Sequence, residues 1–321
     1  MLKRMTMKKI LVSTLSLCAL FLIYIVPKDE TANTDFKQKL EYINEDVISS
    51  SIYLMDSNNY LGRASVIVSS SNTQIERRAK ELVEILINDG VGENKVPNGF
   101  KSLLPSDTKI LSIKYEEGLI KINFSKELLD INEELEEKMV EAIVYTLTSI
   151  PKVEKVIIYV EGDILSRLPK TKITLPSTLD RSFGINKNYD LSSYQDINQT
   201  TIYYVSKHND NYYYVPVTKY TNDDRDKISI IVDELTSTPI YSSNLMSFLN
   251  GNTKLLSVNE INEKLELEFN SYIFDNADEQ NILEEVLYTL MLSIKDNYDV
   301  KEVVLEVKED GNYKNVIKTI E

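Results

Sequence analysis

The 321-residue chain contains one cysteine, one histidine, nine glycines and eight prolines. A lone cysteine, Cys18, excludes a disulfide within the chain. With His208 the sole imidazole, a zinc site built from His and Cys is excluded as well. No Gly-rich phosphate loop is present, nor a Gly-x-Ser-x-Gly nucleophile turn, nor a His-based metal spacing. Basic residues are scarce after the amino terminus. The first 28 residues hold Lys3, Arg4, Lys8, Lys9 and Lys28 and no acid, which leaves 31 basic against 50 acidic residues, a net of −19. That excess repels nucleic acid and anionic lipid, so neither is expected as the main partner. Long low-complexity runs are also missing, and 42% hydrophobic with 27% charged residues marks a folded chain.

What the sequence does contain is an internal repeat over residues 51–162 and 201–311. Ser51-Ile52-Tyr53 returns as Thr201-Ile202-Tyr203, and Thr108-Lys109-Ile110-Leu111-Ser112-Ile113 as Thr253-Lys254-Leu255-Leu256-Ser257-Val258. Phe124 matches Phe269, Tyr145-Thr146-Leu147 matches Tyr288-Thr289-Leu290, and Val153–Ile157 matches Val300–Val304. Two domains of this length each suffice for an independent core. The expected organisation is an amino-terminal membrane segment over 1–28, a tether over 29–50, a first domain over 51–162, a linker over 163–200 and a second domain over 201–321.

Ile10 to Val26 is largely apolar, preceded by Lys8-Lys9 and closed by Pro27-Lys28. A helix there spans roughly 25 Å at 1.5 Å per residue, a little short of a hydrocarbon core of about 30 Å. Three readings stay open. A cleaved signal wants small residues before the cut, and Glu30-Thr31-Ala32 supplies one. A lipoprotein is cut before Cys18, but Leu15-Ser16-Leu17-Cys18 places a bulky leucine where a small residue is expected, and the apolar run continues past the cysteine. An uncleaved anchor with its basic side cytoplasmic is preferred. The preferred anchor makes the membrane a partner through residues 10–26, and all three readings place residues 29–321 outside the cytoplasm.

Within each copy the pattern predicts ββ-α-ββ-α-β. Ile52–Met55 and Ala64–Val68 read as a hairpin around an Asn- and Ser-rich turn. Thr73-Gln74-Ile75-Glu76 fits a capping box, followed by Ile75, Ala79, Leu82, Val83 and Leu86 at helical spacing. Ile120, Ile122 and Phe124 alternate with polar residues after Glu116-Glu117-Gly118, marking a strand with one buried face. A second helix carries Leu135, Met139, Ala142, Ile143, Thr146 and Leu147, ahead of Pro151. The apolar run Val156–Val160 reads as a buried strand. The second copy repeats the pattern, which predicts an α/β (α+β) fold with helices packed on a mixed sheet. Residues 163–200, with Pro169, Pro176 and Gly184, are expected to pack loosely.

The order of Ile-Tyr, a leucine-rich helix, Leu-Pro-x-x-Thr-x-Ile/Leu-x-Ser, a hairpin ending in Asn-Phe-Ser, a Tyr-Thr-Leu helix and a closing Val-x-x-Val strand resembles the GerMN domain family. The resemblance covers nearly all of residues 51–311. The second copy departs where Leu249-Asn250-Gly251 replaces Leu104-Pro105-Ser106. The resemblance implies a non-catalytic envelope module of sporulation and spore germination, similar in fold to ring-building domains of secretion and sporulation channels. Its expected partners are envelope or sporulation-channel proteins in the space between mother-cell and forespore membranes. Relatives commonly carry a lipoprotein signal, from which the surroundings of Cys18 depart.

No catalytic, cofactor-binding or metal-binding residue is assigned, and no small-molecule cofactor is expected. His208 lies in a polar turn and has no counterpart in the first copy. Asp130 and Asp275 match between copies and are the candidates for a two-carboxylate hydrolase of peptidoglycan, the alternative function together with a wall- or ligand-binding module. Their position ahead of a helix favours capping instead. Glu133-Glu134, Glu136-Glu137 and Asp223-Asp224 read as solvated charge runs, since no calcium loop is present. Tyr203-Tyr204 and Tyr212-Tyr213-Tyr214 divide between sheet packing and a partner surface, and Pro216 favours an edge strand.

Overall fold

The first hairpin of each copy buries consecutive residues, such as Ile52–Met55 and Thr200–Tyr203, and the two hairpins pair into one sheet. A computed structural model describes residues 48–69, 74–237, 244–275, 281–309 and 312–317. The apolar segment 10–26 and residues 29–47 of the tether lie outside the described residues. Among the described residues no helix is long and apolar enough to cross a membrane.

The first copy runs β1 (Ile48–Asp56), β2 (Leu61–Val68), α1 (Ile75–Leu86), β3 (Phe100–Lys101), β4 (Ile110–Glu116), β5 (Leu119–Phe124), α2 (Glu136–Leu147), β6 (Lys155–Val160) and β7 (Asp163–Ile164). After β8 (Asn188–Asp190) comes the second copy: β9 (Asn198–His208), β10 (Asn211–Thr221), α3 (Lys227–Thr236), β11 (Leu255–Ile261), β12 (Lys264–Asn270), α4 (Glu284–Asn297), β13 (Glu302–Glu309) and β14 (Asn312–Ile317). The ββ-α-ββ-α-β order is present in both copies, and each closing strand is followed by one more antiparallel strand. The first strand starts at Ile48, inside the stretch expected as tether.

The strands divide among three sheets. β4-β5-β6-β7 and β11-β12-β13-β14 each belong to one copy, and in both the central pair is parallel with a helix as the crossover. The third sheet belongs to both copies. It runs β3-β1-β2-β10-β8, with β9 on β10, and β2 meets β10 at Arg63 and Tyr214. Pro216 therefore does not mark an edge strand. β10 is internal, but β2 reaches it at Tyr214 and β8 at Lys219–Thr221, so the proline falls in the gap between them. There Asn186 Nδ2 donates to its carbonyl at 2.7 Å, and no ladder bond is lost for want of a proline N–H.

Each copy has its own apolar core. Ile52, Leu82, Ile122, Phe124, Ile143 and Val156 anchor the first, and Ile202, Ile231, Leu267, Phe269, Leu290 and Leu305 the second. Residues 163–200 are not loosely packed: Leu165, Leu168, Leu175, Leu179 and Ile185 are buried in the first core. Leu179 also bridges Val156, and β8 joins the shared sheet. Apolar residues spaced among prolines gave no period from which this packing could be read.

Helix α1 begins after Gln74, which makes no side-chain cap. Thr73 of the expected capping box lies outside the described residues, and Glu76 accepts the N–H of Tyr115 instead. The helix correspondence also shifts. The N–H of Tyr53 is accepted by Thr146 Oγ1 at 3.1 Å, and that of Tyr203 by Ser293 Oγ at 2.8 Å. Thr146 thus corresponds to Ser293 rather than Thr289, one helical turn further on, a slip that leaves the buried face unchanged.

Candidate functional site

Two networks of buried polar side chains cross the junction between the copies. Tyr53 and Tyr203, the tyrosines of the repeated Ile-Tyr motif, are both buried and share a hydroxyl–hydroxyl hydrogen bond of 2.9 Å. Tyr203 donates onward to Asp296 Oδ2 at 2.8 Å. Arg181, from the segment between the copies, pairs with the other oxygen of Asp296. Its guanidinium lies 4.9 Å from the ring centroid of Tyr145 and 5.8 Å from that of Tyr53, and Nε donates to Thr148 Oγ1. Tyr145 and Tyr53 meet edge to face at 5.3 Å. Burial raises the hydroxyl pKa of Tyr203 and Tyr145, and the Asp296 carboxylate adds to it, so both stay protonated donors.

A second network lies at the other end of β1. Asp56 accepts the backbone N–H groups of Asn58 and Tyr60 on one oxygen and the Tyr213 hydroxyl on the other, at 2.8 Å. Ser206 completes it at 3.0 Å from Tyr213. Between the two networks stands Asn186, which exchanges hydrogen bonds with both backbone groups of Leu61 at 2.9 Å and holds Pro216 of the second copy. Its own N–H goes to Glu141 Oε2 at 2.9 Å. Burial pushes the Glu141 carboxyl up to about 7, against the lowering effects of that N–H and of Lys187.

The residues singled out by sequence are placed as follows. Asp130 ends a short 3-10 turn and Asp275 follows another; both are exposed, and neither carboxylate caps a helix or accepts a hydrogen bond among the described residues. Nothing brings the two together. His208 is half-buried rather than exposed, its ring packed over Gly99 of the first copy, where a Cβ would come within 2.5 Å of the imidazole. Tyr212 packs on Phe248, Tyr214 stacks on Tyr288, and Tyr204 donates to Glu234, so the aromatic runs serve internal packing first. Glu133 and Glu134 are exposed as expected, but Glu136 is buried. It accepts the Lys170 N–H and both the N–H and hydroxyl of Thr171. Burial would raise its carboxyl, and these hydrogen bonds outweigh that and hold it below the usual range. Among the described residues no group of three His, Cys, Asp or Glu side chains is placed to hold a metal ion.

Residues 51–166 and 201–311 match the family Germane, described as sporulation and spore germination. The chain belongs to the Germane family. It is 32% identical over 263 residues to the spore germination protein GerM of Bacillus subtilis (strain 168), covering 80% of this chain and 70% of that one. The solved tandem GerMN domains of the sporulation protein GerM from Bacillus subtilis are 28% identical, with a TM-score of 0.75 over 85% of this chain and 97% of theirs. Both Germane copies of the present chain are thus in a known tandem arrangement, and homology supports a role in sporulation or germination. Sequence reading missed Arg181, Asn186, Glu141 and Asp296. One signal was available: Asp296 sits in the last turn of α4, where the dipole disfavours an acid. Such a misfit calls for a partner, and Arg181 is that partner.

Proposed function

We propose that this chain is a non-catalytic, membrane-tethered envelope protein that helps assemble or localise a protein complex in sporulation or spore germination. One observation carries the reading: the buried polar side chains shared by the copies are spent on locking two Germane domains into one body. Such a body presents two similar faces in fixed relation, which favours simultaneous engagement of a partner and raises avidity without chemistry. The apolar segment 10–26 is the proposed anchor, with the domains on the outer side. The test is a tagged full-length chain recovered from sporulating cells, together with a deletion strain. Co-purification of specific envelope proteins, with impaired sporulation or germination on deletion, is expected. Normal spores that germinate normally, and no co-purifying envelope protein, would end the proposal.

A further inference from the structure

Glu141 lies on α2 with 2% of its surface exposed, and the charges around it offset an ionised carboxylate there only in part. Among the described residues, the one hydrogen bond to it comes from the neutral amide of Asn186. Lys187 Nζ stands 4.0 Å from Oε1 but is committed to Glu137 at 2.6 Å. Glu137, on the same helix, adds a second negative charge. Lys138, also on α2, gives its ammonium to the carbonyl of Asn59. From the neighbouring strands, Tyr189 of β8 and Tyr220 of β10 bring neutral hydroxyls into the field of the same two carboxylates. An ionised Glu141 keeps the Asn186 N–H and a lysine shared with Glu137 but is denied water, whereas a proton removes that desolvation cost at the expense of a weaker hydrogen bond from Asn186. The residue it holds is not peripheral. Asn186 carries three side-chain hydrogen bonds, two to Leu61 of the first copy and one to Pro216 of the second.

We propose that Glu141 is a proton-responsive clamp on the junction between the copies, closing it when the carboxyl takes up a proton and loosening it when the proton leaves. Opening lets the carboxylate reach water, where its charge is tolerated, and frees Asn186 from its place between Leu61 and Pro216. A change of acidity around neutrality thereby alters how firmly the two domains hold their mutual orientation. The burial that raises the Glu141 carboxyl to about 7 places the response in that range.

The experiment uses the full-length chain with Cys18→Ser and nitroxide labels at Lys114 on β4 and Asn259 on β11, one exposed position in each copy. Distances between the labels are measured by pulsed EPR from about pH 6 to about pH 8, the span in which a group titrating near 7 changes charge. A narrow distribution at the acid end that broadens with a midpoint near 7 is expected. Glu141→Gln is expected to abolish the response. Lys187→Met, which removes the cation nearest the carboxylate, is expected to move the midpoint to higher pH. His208→Gln removes the one imidazole and is expected to leave the response intact. An unchanging distribution in the parent chain, a response that survives Glu141→Gln, or one lost with His208→Gln would overturn the proposal. If Glu141→Gln does not fold, an unmoved midpoint in Lys187→Met overturns it equally.

Discussion

Glu136 and Glu141 share helix α2 and answer pH with opposite sign. Hydrogen bonds hold the folded Glu136 carboxyl below its ordinary value, so its contribution is present at neutral pH and lost as pH falls through that lowered value. Glu141 is raised from 4.5 to about 7, so the folded protein binds a proton that the unfolded chain releases. Its contribution to stability is full at mildly acid pH and declines as pH rises from about 5 to about 7, by up to roughly 3 kcal/mol. Denaturant melts of Glu141→Gln should show that decline abolished, with the variant as stable as the parent or more so at about pH 8. The matched threonines Thr108 and Thr253 offer a second comparison. Thr253 Oγ1 donates to the Tyr272 carbonyl at 3.1 Å, while buried Thr108 Oγ1 has no partner among the described residues. Thr253→Val is expected to cost about 1 kcal/mol, and Thr108→Val nothing or a small gain, in the same melts. The sequence showed these two residues as equivalent; only the neighbouring carbonyl separates them.

Both second hairpins close on turns with two positive φ angles, Glu117 and Gly118 in the first copy and Asn262 and Glu263 in the second. Such turns match the strand twist but suit Asn-Gly best. Glu263 at φ 62° occupies a conformation unfavourable to a side chain, which Gly118 avoids. Glu263→Gly should therefore stabilise the second copy by about 0.5–1 kcal/mol, seen as a higher Tm, since the exposed pair with Lys301 that it gives up contributes little. At this scale the sequence was largely legible. Ile120, Ile122 and Phe124 are buried where their alternation put them, and Met139, Ala142, Ile143 and Leu147 line the inward face of α2. The glutamates of that helix were not legible. Periodicity assigns a face but not what covers it, and the loop at Lys170–Thr171 covers Glu136.

The two copies are expected to unfold in one cooperative transition, because their shared sheet and the Tyr53–Tyr203–Asp296–Arg181 network cross the boundary between them. Arg181→Met leaves Asp296 buried without its cation, with 7% of its side chain exposed, and should cost about 3 kcal/mol or more. Calorimetry of that variant should show the single transition split into two as the copies uncouple; a sharp, unsplit transition at the parent's Tm would refute the coupling. The sequence by itself determined that there are two copies of one ββ-α-ββ-α-β unit, because the apolar periods that bury a core are local and recur in order. Only the tertiary structure decided that the first hairpins merge into one sheet, that residues 163–200 pack into the first core, and that His208 and the paired tyrosines face inward. Those outcomes rest on contacts between residues distant in the chain, such as Tyr53 with Tyr203 and Asn186 with Pro216, whose side chains carry no period to announce them. The Ile-Tyr motif repeats openly in the sequence; that its two hydroxyls bond to each other follows from the fold alone.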